Sequence, residues 1–324
     1  MLSDNLTYEQ CVAQGIGPLV FPERLVENGE QRAEMKAVCL QNMQQQVKLQ
    51  HILQIAWQAL EKADIHPVLL KGAGLAALYP SPERRQWGDI DLFVGKDQYH
   101  PACAVMRETF PKALKFDKEL DHYKHYNLIA DGISIEIHRV SVGLQHPIDE
   151  RLYARMEAYG MSHGEHITVN GLTVTVPEPT FNALFVFLHS WEHVLSSGAN
   201  LRQLYDLRFL LEHYKKQIDR PRLKRWLRAL HLAEPWNVYM SIIEERGDAR
   251  GERLLEDLLK GERKQEESEK TYTNRVVRKW HTMQSRMQNA KRIRRYSPSY
   301  ARHMVAETLL HGALRFFAKD RFWE

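Results

Sequence analysis

The sequence contains little cysteine and no long apolar segment. Cys11, Cys39 and Cys103 are the three cysteines among 324 residues. Because they are odd in number and far apart, they argue against a disulfide framework and against a zinc site built on paired cysteines. No apolar stretch approaches the roughly 20 residues that a membrane helix needs, and the first residues lack the basic and apolar regions of a secretory signal. We therefore expect a cytoplasmic protein in a reducing compartment.

Charge is distributed unevenly along the chain. The net charge is +4, but residues 270–324 contain thirteen Lys and Arg against three Asp and Glu, which gives this tail a local net charge of +10. Such a tail can follow the phosphates of a nucleic acid. However, no pattern of stacking aromatic residues accompanies it, and a basic helix face is most often simply solvated. Nucleic acid is therefore an alternative partner but not the favoured one.

Two carboxylates occur two residues apart in an apolar run, at Asp89 and Asp91. Side chains two apart on a strand point to the same face, so this spacing places both carboxylates side by side, with Ile90 and Leu92 on the other face. Two adjacent acids repel each other unless a cation lies between them, and hard oxygen ligands suit Mg²⁺. The pair predicts a divalent metal site that carries phosphates.

The segments on either side of this pair support the same interpretation. Residues 67–70 are typical of a short buried strand, and Lys71-Gly72-Ala73-Gly74 permits a tight turn whose backbone N–H groups can face an anion. Downstream, residues 133–138 alternate apolar with polar positions, which predicts a strand with Ser134, Glu136 and His138 on one face. Glu136 thus offers a third carboxylate, and His138 lies on the same face.

Taken together, these segments resemble the nucleotidyltransferase superfamily related to DNA polymerase beta, and within it the bacterial family of uncharacterised nucleotidyltransferases. The matching segments lie between about residues 67 and 211: Leu70-Lys71-Gly72-Ala73, Arg85 to Val94 with Gly88-Asp89-Ile90-Asp91, Ile135-Glu136-Ile137-His138, and more loosely His189 with Leu204-Tyr205-Asp206-Leu207. One departure is that many superfamily members have Gly-Gly or Gly-Ser after the first strand, where this chain has Gly72-Ala73.

The resemblance implies a reaction and a set of site residues. Asp89 and Asp91 would bind the metal that joins the NTP phosphates, Glu136 would complete a second metal site, and the ions would be Mg²⁺ or Mn²⁺. A nucleoside monophosphate would pass from the NTP to an acceptor hydroxyl on a small molecule or a protein side chain. The implied nucleotide contacts are Lys71, Gly72, Ala73, Arg85 and His189. Because the serine of Gly-Ser is missing, a catalytically silent nucleotide-binding protein is an alternative.

A second enzyme class has to be considered because His189-Ser190-Trp191-Glu192-His193 fits the H-x-x-E-H pattern of the inverted zinc peptidases. On a helix the two histidines lie one turn apart, which suits Zn²⁺, with Glu192 as general base. A third ligand with a recognisable context is not evident, and packing roles for both histidines are the simpler alternative. Zinc hydrolysis is therefore a minor alternative.

The order of elements predicts an α+β fold with a mixed, nucleotidyltransferase-like sheet flanked by helices and a mostly helical C-terminal region. A long helix is expected over about 30–64, and Asn170-Gly171 predicts a hairpin turn. Strands are expected at 67–71, 89–94, 113–117, 124–130 and 133–139, and helices at 73–79 and 98–109. We expect three domains: an N-terminal helical segment (1–64), a catalytic domain (65–177) and a helical domain with the basic tail (178–324).

Overall fold

The computed structural model describes residues 6–20, 28–116, 120, 122–144, 147–196, 198–260 and 275–317. Contacts divide the chain into two compact units. Of the described residues, the first unit comprises those within 3–189 and 200–223, and the second comprises those within 190–199 and 224–324. The division into three domains that the sequence predicts, with boundaries after residues 64 and 177, stays a prediction.

The first unit contains the strands and the helices that flank them. Its strands are β1 (Val68–Leu69), β2 (Asp89–Phe93), β3 (Leu114–Lys115), β4 (His125–Ala130), β5 (Ile133–His138), β6 (Glu165–Val169) and β7 (Leu172–Val176). Its helices are α1 (Tyr8–Ala13), α2 (Gly17–Val20), α3 (Gly29–Lys62), α4 (Gly72–Ala76), α5 (Gly95–Thr109), α6 (Pro147–Ser162) and α8 (Leu201–His213). Helix α7 (Pro179–Leu195) begins in this unit and ends in the other.

The strands of the described residues form one mixed sheet in the order β3-β4-β5-β2-β1-β7-β6. The pairs β2–β5 and β1–β7 are parallel, whereas β1–β2, β3–β4, β4–β5 and β6–β7 are antiparallel. The β6–β7 hairpin turns at Asn170 and Gly171, both of which have positive φ, as the sequence predicts. The predicted α+β fold with a mixed sheet and flanking helices is confirmed.

The hydrophobic core of the first unit lies between the sheet and its helices. Apolar positions of α3, including Leu49, Leu53, Ala56 and Trp57, are buried in it. The alternating residues Ile133, Ile135 and Ile137 of β5 are buried there as well. This burial leaves the polar positions between those isoleucines, Ser134 and Glu136, on the opposite face of the strand.

The second unit consists of helices within the described residues. They are α9 (Arg220–Ala229), which begins in the first unit, α10 (Ala233–Ile243), α11 (Ala249–Leu259), α12 (Arg275–Ile293) and α13 (Pro298–Phe317). Two arginines of the basic tail have acidic partners here: Arg286 lies 3.9 Å from Glu307, and Arg295 forms an ion pair with Asp257. Residues 261–274 and 318–324, together with the side chains of 275–282 and 311–317, lie outside the described part of the tail. Among the described helices, none has both the length and the apolar composition needed to cross a membrane.

One close contact gives a direct test of the packing in the first unit. A Cβ atom added at Gly160 of α6 would lie 2.1 Å from Cγ of the buried Phe181 on α7. Because Phe181 cannot shift without moving its neighbours, we expect Gly160→Ala to lower the free energy of unfolding by about 1–3 kcal/mol. Chemical denaturation measures this change. Gly29→Ala is the matched control because a Cβ there meets nothing within 4 Å; equal stability of the two variants would contradict the packing.

Candidate functional site

The parallel pairing of β2 and β5 brings three carboxylates to one place on the sheet. Asp91 is paired with Glu136 and Asp89 with Ser134, so these polar side chains of β2 and β5 lie on the same face of the sheet. One oxygen from each of Asp89, Asp91 and Glu136 lies within 4.8 Å of the other two. Local alternation explains the two aspartates, whereas the strand register brings Glu136 to them.

Asp91 is the most enclosed of the three acids and already has two cationic neighbours. Its Oδ1 lies 3.0 Å from Lys71 Nζ and 3.0 Å from His138 Nε2, and the latter atom also lies 3.1 Å from Glu136 Oε2. The second oxygen, Oδ2, is buried and has no hydrogen-bond partner. A buried carboxylate oxygen without a partner is costly, and a hard divalent cation would satisfy it. The donor set therefore fits Mg²⁺ or Mn²⁺.

The ionisation of the acids reflects this crowding. The negative charge of Asp91, followed by burial, raises the pKa of Asp89 above its ordinary value. Burial alone would raise the pKa of Asp91, but Lys71 and His138 outweigh it and hold that pKa well below its usual range. Burial would likewise lower the pKa of Lys71, yet the three carboxylates raise it. The opposite charges of their neighbours thus keep Asp91 and Lys71 ionised although burial opposes the charged form of each side chain.

Lys71 reaches Asp91 from an uncommon backbone conformation. Its φ is +42° and its ψ is −141°, immediately after β1 and before α4. A lysine at positive φ is uncommon and costs of order 1–3 kcal/mol, so surrounding contacts have to hold it there. The next residue, Gly72, has φ +45°, and a Cβ there would lie 3.3 Å from Trp87 and 3.4 Å from the carbonyl oxygen of Asp89. Ala73 follows as a buried residue of α4.

Arg85 is a buried side chain that contacts the backbone of the Lys71-Gly72 segment. Its Nε and Nη2 donate to the two carboxylate oxygens of Asp206 on α8, at 2.6 and 2.8 Å, and Nη1 donates to the Gly72 carbonyl at 3.1 Å. Tyr79 also donates to Asp206, at 2.6 Å. Arg85 and Asp206 are each only 5% exposed. The predicted contact of Arg85 with phosphate stays a prediction. Every nitrogen of its guanidinium has a protein partner in this structure.

Arg202 is a cation beside the acids that the sequence pattern did not identify. It lies on α8, donates from Nη1 to the Gln86 carbonyl at 2.7 Å, and has a buried Nε without a hydrogen-bond partner. Burial, followed by the charge of Arg85, lowers its pKa, while Asp206 and Asp89 oppose the shift. No local pattern in the sequence identifies this residue, because only the packing of α8 brings it near β2. A one-turn spacing from Asp206 is the sole feature that could have suggested it.

His125 on β4 extends the polar row beyond Glu136 and was also not identified from the sequence. The antiparallel register pairs it with His138, and their ring centroids lie 5.1 Å apart. His125 Nδ1 is buried, has no hydrogen-bond partner, and lies 3.9 Å from Glu136 Oε2. Burial lowers the pKa of His125 to about 4, although Glu136 opposes the shift. The alternation His125-Tyr126-Asn127 could have placed it on this face, but not opposite His138.

His189 lies on α7, where its ring stacks on Phe185 with centroids 6.3 Å apart. Its predicted position beside a nucleotide stays a prediction. Within the described part of the chain, the clusters of three metal-binding side chains that the structure brings together do not include His189, Glu192 or His193. The zinc-hydrolase alternative therefore has no third ligand among the described residues.

Comparisons with known proteins show the family of the chain. A search of curated proteins found no match. Among solved structures, an antigenic nucleotidyltransferase-like protein from Paracoccidioides brasiliensis is similar, with 15% sequence identity over 60% of this chain and 92% of that chain and a TM-score of 0.38. The family model described as uncharacterised nucleotidyltransferase matches residues 4–247, which is well over half of the chain. The chain therefore belongs to the family of uncharacterised nucleotidyltransferases.

Proposed function

We propose that the protein is a Mg²⁺-dependent nucleotidyltransferase that transfers a nucleoside monophosphate from an NTP to the hydroxyl of a small molecule or a protein side chain. The observation that carries this proposal is the convergence of Asp89, Asp91 and Glu136, with oxygens within 4.8 Å of one another. The buried Oδ2 of Asp91 supports it further, because this oxygen has no hydrogen-bond partner and a bound cation would satisfy it. Membership of the nucleotidyltransferase family agrees with the reaction class.

Asp89, Asp91 and Glu136 would hold the divalent ions. Such ions, when bound, neutralise phosphate charge and help to activate the attacking oxygen and stabilise the leaving one. The acceptor oxygen forms a bond to the α-phosphorus, the bond from that phosphorus to the β-phosphate bridging oxygen breaks, and pyrophosphate leaves with the hydroxyl proton released to solvent. The protein's own contribution is to position the phosphates and keep their surroundings positively charged.

Lys71 and Arg202 are the cations that we assign to the phosphates. Lys71 Nζ already lies 3.0 Å from Asp91, so a polyphosphate carried by a metal on Asp91 would come within its reach. Arg202 has a buried Nε without a partner, which makes it a better candidate than Arg85 for a bidentate contact. Arg85 acts instead through the Gly72 carbonyl, which it holds at 3.1 Å. This assignment does not need the serine that the Gly72-Ala73 sequence lacks.

Labelled nucleotides test the proposal directly. The purified chain is incubated with cell lysate, Mg²⁺ and each of the four NTPs, labelled either at the α- or at the γ-phosphate. We expect an acceptor to gain the α label but not the γ label, and we expect excess EDTA to abolish the labelling because the carboxylates then lose their cation. Scintillation counting after separation into metabolite, protein and nucleic-acid fractions measures the result.

The controls separate this function from its alternatives. A reaction without the added chain gives the background from enzymes of the lysate. Label in the nucleic-acid fraction would favour the RNA- or DNA-directed alternative, in which the basic tail binds the acceptor. Transfer of the γ label, or labelling that persists in EDTA, would contradict the proposal. Labelling equal to background with every NTP would favour a catalytically silent nucleotide-binding protein.

A further inference from the structure

A second set of metal donors lies next to the three acids and includes two histidines. One ligand atom from each of His125, Glu136 and His138 lies within 4.8 Å of the other two. The set spans β4 and β5, whose register pairs the two histidines directly across the sheet. Sites that combine imidazole with one carboxylate are typical of Zn²⁺ and other borderline cations, whereas Mg²⁺ prefers oxygen ligands alone.

His138 has the orientation of a metal-binding histidine. Its Nδ1 lies 3.3 Å from the Val140 carbonyl, to which it can donate, and this contact directs Nε2 toward Asp91 and Glu136. Histidines that bind metals commonly donate their other ring N–H to a backbone carbonyl or a carboxylate, which fixes the tautomer and the ring. A cation that displaces the Nε2 proton leaves the hydrogen on Nδ1 and bonds to the Nε2 lone pair.

His125 provides the second nitrogen donor. Its Nδ1 is buried, has no hydrogen-bond partner, and faces Glu136 Oε2 at 3.9 Å. This distance is too long for a hydrogen bond but leaves room for an ion, since zinc bonds to nitrogen and to carboxylate oxygen are each about 2.0–2.2 Å. An unpartnered buried nitrogen aimed at a carboxylate is difficult to explain as packing alone.

We propose that His125, Glu136 and His138 form a binding site for a borderline divalent cation of the Zn²⁺ class, and that this site competes with the Mg²⁺ site for Glu136. An ion on His138 Nε2 has to stand between that nitrogen and the carboxylates of Asp91 and Glu136, which are only 3.0 and 3.1 Å away. The same space is where an ion on the three acids would lie. One cation therefore excludes the other, and Zn²⁺ acts as an inhibitory ion at this site.

Direct metal binding tests the site without any nucleotide. We expect isothermal titration calorimetry of the metal-free chain to show one Zn²⁺ bound far more tightly than Mg²⁺, following the preference of imidazole donors. His125→Asn should weaken Zn²⁺ binding at least about tenfold, because loss of even an outer partner of a metal ligand costs that much. His100→Asn, at an exposed histidine of α5, is the matched control and should bind Zn²⁺ like the wild type.

Competition is measured with Mn²⁺ in place of Mg²⁺, by the loss and return of the free Mn²⁺ signal in electron paramagnetic resonance. One equivalent of Zn²⁺ should release bound Mn²⁺ from the wild type, and about tenfold more should be needed for His125→Asn. Unchanged Zn²⁺ affinity in both His125→Asn and His125→Gln, with thermal melting showing that they fold, would overturn the site. Zn²⁺ that binds without releasing Mn²⁺ would overturn the competition.

The competition rests on the proposed acid site, whereas the binding of Zn²⁺ does not. Tight Zn²⁺ binding that depends on His125 would therefore support this inference even if no labelled nucleotide were transferred. Conversely, transfer of the α label by a chain that binds no Zn²⁺ would support the proposed function and reject this site.

Discussion

Asp91→Asn is expected to lower nucleotidyl transfer on the order of a thousandfold. Asp91 is the most buried of the three acids, and Lys71 and His138 each lie 3.0 Å from its Oδ1. Its Oδ2 has no hydrogen-bond partner and is available to bind a cation. Removing its charge weakens the binding of the metal ion, which stabilises the transition state by several kcal/mol. Each 1.36 kcal/mol of lost stabilisation lowers the rate about tenfold. The α-label assay at saturating NTP measures the change in kcat.

A matched substitution shows whether the effect belongs to the site. Asp64→Asn removes the same charge from a side chain that is 97% exposed, and we expect it to retain the wild-type rate. If Asp91→Asn labels the acceptor as fast as Asp64→Asn does, the assignment of the acid cluster to catalysis is wrong.

Stability has to be separated from catalysis because Asp91→Asn also leaves Lys71 and His138 without their shared anion. An unsatisfied buried group costs about 1–3 kcal/mol. The double variant Lys71→Met/Asp91→Asn removes one of the stranded cations, so we expect it to recover part of the stability and none of the activity. Chemical denaturation and the α-label assay, run on the same preparations, distinguish the two effects. Recovery of activity in the double variant would mean that Asp91 acts only by neutralising the charge of Lys71.

The features that local sequence periodicity encodes were predictable. Alternation determines the faces of β2 and β5, so the sequence alone places Asp89, Asp91 and Glu136 on polar faces. The Asn170-Gly171 turn was predictable for the same reason, because its backbone conformation follows from two adjacent residues. Helix α3 was predicted at 30–64 and is observed at Gly29–Lys62. Helix α6, in contrast, was not among the predicted elements.

The partners that come from distant parts of the chain were not predictable. The family resemblance assigned Arg85 to phosphate, yet its carboxylate partner is Asp206, 121 positions away. Arg202 and His125 reach the site through the packing of α8 and the register of β4, neither of which has a local pattern. Contacts between residues far apart in the sequence depend on the free energy of the whole fold. Local periodicity alone is compatible with many other partners for each of these residues.

The pair between Arg85 and Asp206 is expected to have the largest effect on stability. Asp206→Ala would leave the Arg85 guanidinium buried without its carboxylate and would also remove the acceptor of Tyr79. Breaking a buried ion pair by removing one partner costs about 3–5 kcal/mol. We expect a loss of this size in the free energy of unfolding, measured by urea denaturation. Glu212→Ala on the same helix, which removes the half-exposed partner of Arg208, should cost at most about 1 kcal/mol.

A double substitution separates the charge from the contacts that it makes. Replacing both partners, as Arg85→Met/Asp206→Leu, should recover most of the lost stability, because apolar residues of similar volume often replace a buried ion pair without penalty. The Gly72 carbonyl would nevertheless lose the donor that Arg85 provides at 3.1 Å, and Lys71, held at φ +42°, would lose a neighbour that fixes its backbone. We therefore expect a stable protein with a raised KM for NTP. A double variant with wild-type KM would show that Arg85 stabilises the fold without positioning the Lys71 loop.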